Sequence, residues 1–174
     1  MGWSFDEVFA AEFESLHRYV GRRLGVSAAD DLTAETFAVA YRRWDDLDPA
    51  RPVKPWLYGI ASNLVRHQWR KERRMLRAYR RAGVDRVLVE EEASVDRLDA
   101  QAEGAALAAA LADLRREERE VLLLHAWADL SDAEIAESLS LPLGTVKSRL
   151  SRAREQLRNR LGLIGQVEVD SLNG

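Results

Sequence analysis

Residues 131–161 read SDAEIAESLSLPLGTVKSRLSRAREQLRNRL. Ser131 and Glu134 form an S-x-x-E capping box, which opens a helix near Asp132. Ile135, Ala136 and Leu139 supply its buried face. SLPLGT then breaks the pattern with Pro142 and Gly144, a turn of a few residues. A second helix follows, with Val146, Leu150, Ala153, Leu157 and Leu161 on one stripe. Lys147, Ser148, Arg149, Ser151, Arg152 and Arg154 fall largely on its other sides. A short helix, a tight glycine-containing turn and a helix with a basic, small-polar front half describe a helix-turn-helix. Small residues at the front of such a helix let its backbone approach a groove. Arginine and lysine read guanine edges or hold phosphates, and hydroxyls do either. A solvated amphipathic helix would explain the second helix alone. The capping box, turn and preceding helix together favour DNA binding.

Working outward, almost every other segment also has a helical period. Phe5, Val8, Phe9, Phe13, Leu16, Val20 and Leu24 recur at three- and four-residue steps, so residues 5–24 make a helix with one buried face. Gly25 ends it, and Ser27 is the expected N-cap of the next. Leu32, Phe37, Ala40, Tyr41 and Trp44 continue the period. DPARPVKP holds three of the four prolines and bars a helix there. Pro55 suits the first turn of a long helix through PWLYGIASNLVRHQWRKERR, whose core face is Leu57, Ile60, Ala61 and Leu64. GAALAAALADLRREEREVLLLHAW, rich in Ala and Leu, is helix-prone as well. No segment shows sustained two-residue alternation. The fold class is therefore all-α: two small helical domains joined by a flexible linker, the second containing the helix-turn-helix.

Composition narrows the function classes. The 174 residues carry 26 Lys+Arg against 29 Asp+Glu, a formal net charge of −3. They include no cysteine, so disulfides, thiolate metal sites and cysteine nucleophiles are excluded. Apolar runs are too short for a membrane span, and the acidic start MGWSFDEVFAAEFE lacks a signal peptide's layout, which points to a cytoplasmic protein without direct membrane insertion. Net acidity argues against nucleic-acid binding only if charge is evenly spread, and it is not. In residues 66–81 Arg66, Arg70, Lys71, Arg73, Arg74, Arg77, Arg80 and Arg81 oppose Glu72 alone, a net of +7. Residues 83–104 have seven acids against Arg86 and Arg97, a net of −5, and residues 143–162 return to +5. An acidic stretch between basic elements marks a linker or partner surface. Of the basic residues only Lys54, Lys71 and Lys147 are lysines, a bias that hints at a GC-rich genome.

The first basic run is preceded by Trp56, Tyr58, Asn63, His67 and Trp69. Asn63, His67, Arg70 and Arg74 follow at i, i+4, i+7 and i+11 and so share one helix face. Rings that stack on bases, amides that bond base edges and cations that follow a backbone suit single-stranded nucleic acid. Each aromatic taken singly is more often core. A second DNA-binding module downstream tips the balance towards a nucleic-acid face. His17, His67 and His125 are far apart in sequence, no catalytic or metal residues stand out, and no P-loop, H-E-x-x-H or dinucleotide fingerprint is present. His125 in VLLLHAW reads as a packed histidine.

PWLYGIASNLVRHQWRKERR resembles the promoter-melting region of sigma-70-type factors of the extracytoplasmic-function (ECF) class. DDLTAETFAVAYRRWDDL resembles that family's polymerase-clamp-binding region, and REEREVLLLHAWADLSDAEIAESLSLPLGTVKSRLSRAREQLRNRL its C-terminal promoter-reading domain. The resemblance spans roughly residues 5–162 in the family's order. It implies that Asn63 helps capture a flipped base of the downstream promoter element, with Tyr58, Arg66 and His67 lining that surface and Arg70 and Arg74 beyond. It implies that Asp31, Leu32, Glu35 and Phe37 grip the clamp helices. Thr145, Lys147, Ser148, Ser151 and Arg152 would face the upstream element, with Arg149 and Arg154 on phosphates. Two positions depart from the family: Ala34 stands where Gln is common, and Gly59 where Arg is common.

The expected organisation is 1–81 as region 2, 82–104 as acidic linker, 105–165 as region 4 and 166–174 as a short polar, frayed tail. On this reading the protein is no enzyme and needs no cofactor or small-molecule substrate. Its partners are core RNA polymerase (clamp helices and flap), promoter DNA and an anti-sigma factor. The alternative is a conventional helix-turn-helix regulator whose first 80 residues form a ligand or dimerisation bundle. That protein would bind duplex DNA tightly without polymerase.

Overall fold

The computed structural model describes residues 4–48, 50–81 and 102–172, with the side chains of 76, 78–80, 102–105 and 163–172 left aside. It divides into two units, Met1–Ser94 and Val95–Gly174. The division falls in the acidic stretch, of which residues 82–101 lie outside the described ones. All regular structure among the described residues is helical, and no helix there is long and apolar enough to cross a membrane.

Unit 1 packs α1 (Phe5–Leu24), α2 (Val26–Arg42) and α3 (Val53–Arg81) on one another, with a short 3-10 turn at Trp44–Asp46. α1 opens on a capping box that the sequence reading passed over: the Ser4 hydroxyl accepts from the Glu7 N–H at 3.2 Å, and the Ser4 N–H donates to the Glu7 carboxylate at 2.8 Å. That N–H bond, with a second from the Ser4 hydroxyl to the carboxylate at 3.0 Å, holds the Glu7 carboxyl below its ordinary pKa. Gly25, at φ 84°, turns the chain in one residue, its N–H bonding to the Gly21 carbonyl at 2.8 Å. α2 starts at once, so Ser27, expected as its N-cap, lies inside the first turn, and Gly25 caps without a side chain. α3 begins two residues before Pro55, which sits in the first turn, where its missing N–H has no intrahelical partner to lose.

Leu16, Val20, Ala29, Leu57, Ala61 and Val65 fill the centre of this unit. Leu57, Ile60 and Ala61 are buried as the periodicity predicts; Leu64 is half-buried, and Tyr58 and Val65 join the core. A polar tie joins α1 and α3 in the core. Buried Arg23 donates to the Tyr19 hydroxyl at 2.8 Å, which lies 3.3 Å from the Ser62 hydroxyl. At one edge, Phe5, Phe9, Phe13, Phe37, Tyr41 and Trp44 form a ring cluster, with Phe9 and Phe37 centroids 4.7 Å apart.

Unit 2 comprises α4 (Ala102–Ala112), α5 (Arg116–Trp127), α6 (Asp132–Leu139) and α7 (Leu143–Leu172). α7 touches each of the other three helices and is the axis of the unit. The long Ala/Leu-rich stretch is two helices, broken at Asp113–Arg115. Arg119 fastens the break: it is buried, and its Nη2 donates to the carbonyls of Ala112 at 2.9 Å and Leu114 at 3.2 Å, satisfying acceptors that the end of α4 leaves over. His125 is half-buried and donates Nδ1–H to the Leu130 carbonyl at 3.1 Å, closing the corner between α5 and α6. The core is aliphatic: Leu111, Leu114, Val121, Leu124, Leu130, Ile135, Val146, Leu150 and Ala153.

The Ser131–Glu134 capping box is present as predicted. The turn between α6 and α7 differs from expectation. Ser140, at φ 53°, makes it, while Gly144 lies in the first turn of α7 with open space where a Cβ would be. α7 continues as helix to Leu172, where the sequence suggested a frayed tail from 166.

Candidate nucleic-acid interface

Two basic faces are built, one in each unit. On α3, Asn63, His67, Arg70 and Arg74 are exposed along one side, with Arg66 half-buried beside them. Arg66 Nη2 donates to Asn63 Oδ1, which engages the amide oxygen within the helix. Arg74 folds back on its own helix, Nε donating to the Arg70 carbonyl at 3.3 Å. Every residue from 70 to 75, together with 77 and 81, is exposed, so beyond the bundle α3 is a cationic rod.

Tyr58 corrects the sequence reading. It was placed on this surface, yet it is fully buried, edge-on to Tyr19 at 5.3 Å. The cause is periodicity: Tyr58 precedes Leu57's partner Ala61 by three positions and so falls on the buried stripe. Burial pushes its phenol well above the ordinary tyrosine pKa, helped by the nearby Glu12 charge. It cannot meet a base without unpacking the unit. Gly59 is buried too, so this position brings no side chain to the surface where the family commonly has arginine.

On α2, the four residues expected to grip polymerase separate into two pairs. Asp31 and Glu35 are exposed, whereas Leu32 and Phe37 are buried within the unit, Phe37 against Phe5, Phe9 and Phe13. The apolar surface nearby comes instead from Phe9, Phe13 and Tyr41, which are 42%, 40% and 67% exposed. Sequence reasoning counted the first two as core because they keep the α1 period. His17 stacks on Phe13 and lies 2.8 Å from the Asp30 carboxylate, joining α1 to α2 beside this patch.

On α7, Lys147, Ser151, Arg152 and Arg154 are exposed, and Thr145, Ser148 and Arg149 are half-buried, while Val146, Leu150 and Ala153 face inward. Lys147, Ser151, Arg154 and Arg158 line a groove of about 340 Å³ that Asp132, at the start of α6, closes at one side. Arg158 was not singled out beforehand, although its place one turn after Arg154 is the signal that finds it. A groove with three cations and a hydroxyl against the single Asp132 carboxylate is suited to a phosphate oxygen. Arg152 is held from below: Nη2 donates to the Ser148 hydroxyl at 3.2 Å, and Nη1 is 3.6 Å from the buried carboxylate of Glu118 on α5.

The fold and these faces define a two-unit, all-helical DNA-binding protein with a helix-turn-helix in its second unit. Residues 9–75 match the family model for Sigma-70 region 2, and residues 104–157 that for Sigma-70, region 4. The chain is 35% identical over 153 residues to the ECF RNA polymerase sigma factor SigL of Mycobacterium tuberculosis, covering 86% of this chain and 84% of that one. It is 31% identical over 171 residues to the ECF sigma factor SigW of Bacillus subtilis, covering 91% and 89%. The solved structure of the sigma factor RpoE in complex with the anti-sigma factor NepR from Bartonella quintana superposes with a TM-score of 0.69 at 26% identity, covering 91% of this chain and 96% of that one.

The chain belongs to the sigma-70 family of RNA polymerase sigma factors, in its ECF class. Its function is that of the family: it binds core RNA polymerase, directs it to promoters and assists DNA melting at initiation. A conventional helix-turn-helix regulator finds no support in these matches.

Proposed function

We propose that the two basic faces divide promoter recognition between them. Unit 1 reads and holds the downstream element as single strand: Asn63 and His67 take an unstacked base, and Arg66, Arg70 and Arg74 follow the backbone. Unit 2 reads the upstream element as duplex, with Thr145, Lys147, Ser148, Ser151 and Arg152 towards base edges and Arg149, Arg154 and Arg158 on phosphates. The observation that carries this division is that each face is basic, exposed and on a rigid helix, while the chain as a whole is acidic.

Capture of unstacked bases offsets the few kcal/mol lost per broken stack, so melting needs no chemistry from this chain, which acts as a non-enzymatic factor in the cytoplasm. Asp31 and Glu35, with exposed Phe9, Phe13 and Tyr41, form the surface for the polymerase clamp; Leu32 and Phe37 support α2 from beneath. An anti-sigma protein that covers one or both units is the expected inhibitor, by similarity to the complexes of CnrH with the cytosolic domain of CnrY and of RpoE with NepR.

Core polymerase supplemented with this chain is expected to give defined run-off transcripts from a genomic promoter library, and Asn63→Ala to lower open-complex formation roughly tenfold. Absence of any transcript, or tight duplex binding by the chain alone, would sink the proposal.

A further inference from the structure

Glu118 is the most awkwardly placed acid among the described residues. Its side chain is 2% exposed, in the first turn of α5, beneath α7. Oε2 accepts from Gln156 Nε2 at 3.1 Å. Oε1 has no hydrogen-bond partner among the described residues, and Arg152 Nη1 lies 3.6 Å from it. The N-terminus of α5 eases the charge, yet an apolar side chain would pack α5 on α7 at less cost to stability. The carboxylate is best understood through what it holds.

What it holds is one edge of an arginine that otherwise faces solvent, Arg152 being 54% exposed. The other edge is fixed by α7 itself: Arg152 Nη2 donates to Ser148 Oγ at 3.2 Å, and Ser148 Oγ donates to the Thr145 carbonyl at 3.0 Å. A guanidinium with a hydrogen bond at one Nη and a carboxylate 3.6 Å from the other has fewer orientations open to it than a free arginine on a helix surface. Direct reading of a base edge depends on that orientation, because the paired donors must meet two acceptors at once.

We propose that Glu118 is a specificity-setting positioning residue: it never meets DNA, and through Arg152 it determines how sharply unit 2 discriminates bases of the upstream element. The inference rests on the reading that Arg152 faces that element.

The test uses holoenzyme made from core polymerase and the full chain, selecting bound DNA from a promoter library randomised across the upstream element. The readout is base preference at each position. Arg152→Ala is expected to relax one or two adjacent positions. Glu118→Gln, which keeps the shape and the Gln156 bond but removes the charge, is expected to lower preference at those same positions by roughly 3- to 10-fold and leave the others unchanged. Added to Arg152→Ala, it should do nothing more. Arg152→Lys keeps the charge but has no planar fork to span Glu118 and Ser148, and should reproduce the loss even if Glu118→Gln lowers helix content.

The proposal is overturned if Glu118→Gln and Arg152→Lys retain the original preferences while Arg152→Ala relaxes them; the placement of Arg152 on DNA then survives. It is overturned as well if Glu118→Gln weakens all positions alike, which is the mark of a structural role, or adds to Arg152→Ala. If Arg152→Ala relaxes no position, the placement of Arg152 on the element has failed, and the inference falls with it.

Discussion

In unit 1 the basic face belongs to a helix that leaves its own bundle; in unit 2 it belongs to the helix at the bundle's centre. α3 is packed through Val65 and exposed all round from residue 70 to 75, so its cations need no neighbour to be displayed. α7 is touched by α4, α5 and α6, and its cations lie within reach of acids on or between those helices: Arg152 near Glu118, Arg160 paired with Asp113 in the break after α4, and Arg154 lining the same groove as Asp132. The interiors differ in the same sense. Unit 1 is centred on aliphatic side chains with an Arg23–Tyr19–Ser62 tie, whereas unit 2 buries Glu118, Arg119 and Glu120 in consecutive positions. A face that must melt and follow a flexible strand can be a simple rod. A face that must read a rigid duplex needs its side chains held from behind.

This contrast can be broken by substitution, and the largest effect is expected in unit 2. Arg119→Ala strips the end of α4 of two hydrogen bonds in a buried site and should cost about 2–4 kcal/mol in urea unfolding. A cost below that of the next variant would erase the distinction between the interiors. Tyr19→Phe removes the acceptor of Arg23 and the link to Ser62, for an expected loss of about 1–2 kcal/mol.

Smaller effects sharpen the picture. Ser140→Gly relieves the left-handed backbone of the helix-turn-helix corner and should raise stability by up to about 1 kcal/mol, seen as a higher midpoint of thermal unfolding. Tyr58→Phe deletes a buried hydroxyl with no hydrogen-bond partner among the described residues. It should change stability by no more than about 0.5–1 kcal/mol and leave promoter opening intact; slowed opening would return Tyr58 to the DNA surface. The Glu7 cap should have the least influence. Because its pKa is depressed in the folded state, its support is present above the ordinary carboxylate pKa and fades as pH falls through the lowered native value. Titration of Glu7 by NMR should place its midpoint below the ordinary range of a free glutamate carboxyl.

The helices, the capping box at Ser131 and the alternation of basic, acidic and basic stretches were legible in the amino-acid order, because each depends on neighbours within about four positions. So was the face of Asn63, His67, Arg70 and Arg74, since helical spacing alone places those side chains together and they stay exposed among the described residues. The errors fell where a second element intervenes. Tyr58, Leu32 and Phe37 have types that suit a binding surface, and only packing among α1, α2 and α3 shows that they face inward. Phe9 and Phe13 keep a core period and touch Phe37 of α2, yet they stay 42% and 40% exposed. Ser140, not glycine, turns the helix-turn-helix, as bonds from its N–H to the Ala136 and Glu137 carbonyls hold the left-handed corner.

Local order along the chain thus determines which helices form and what charge each carries. Tertiary structure decides which side chains are free to use that charge. Glu118 shows the division most plainly: in RREEREVLLL it is one acid among several, and it gains a role only when α7 is laid across it and brings Arg152 and Gln156, more than thirty residues away, to its carboxylate. A desolvated charge must find its partner in space, and no spacing rule along the chain can name that partner in advance.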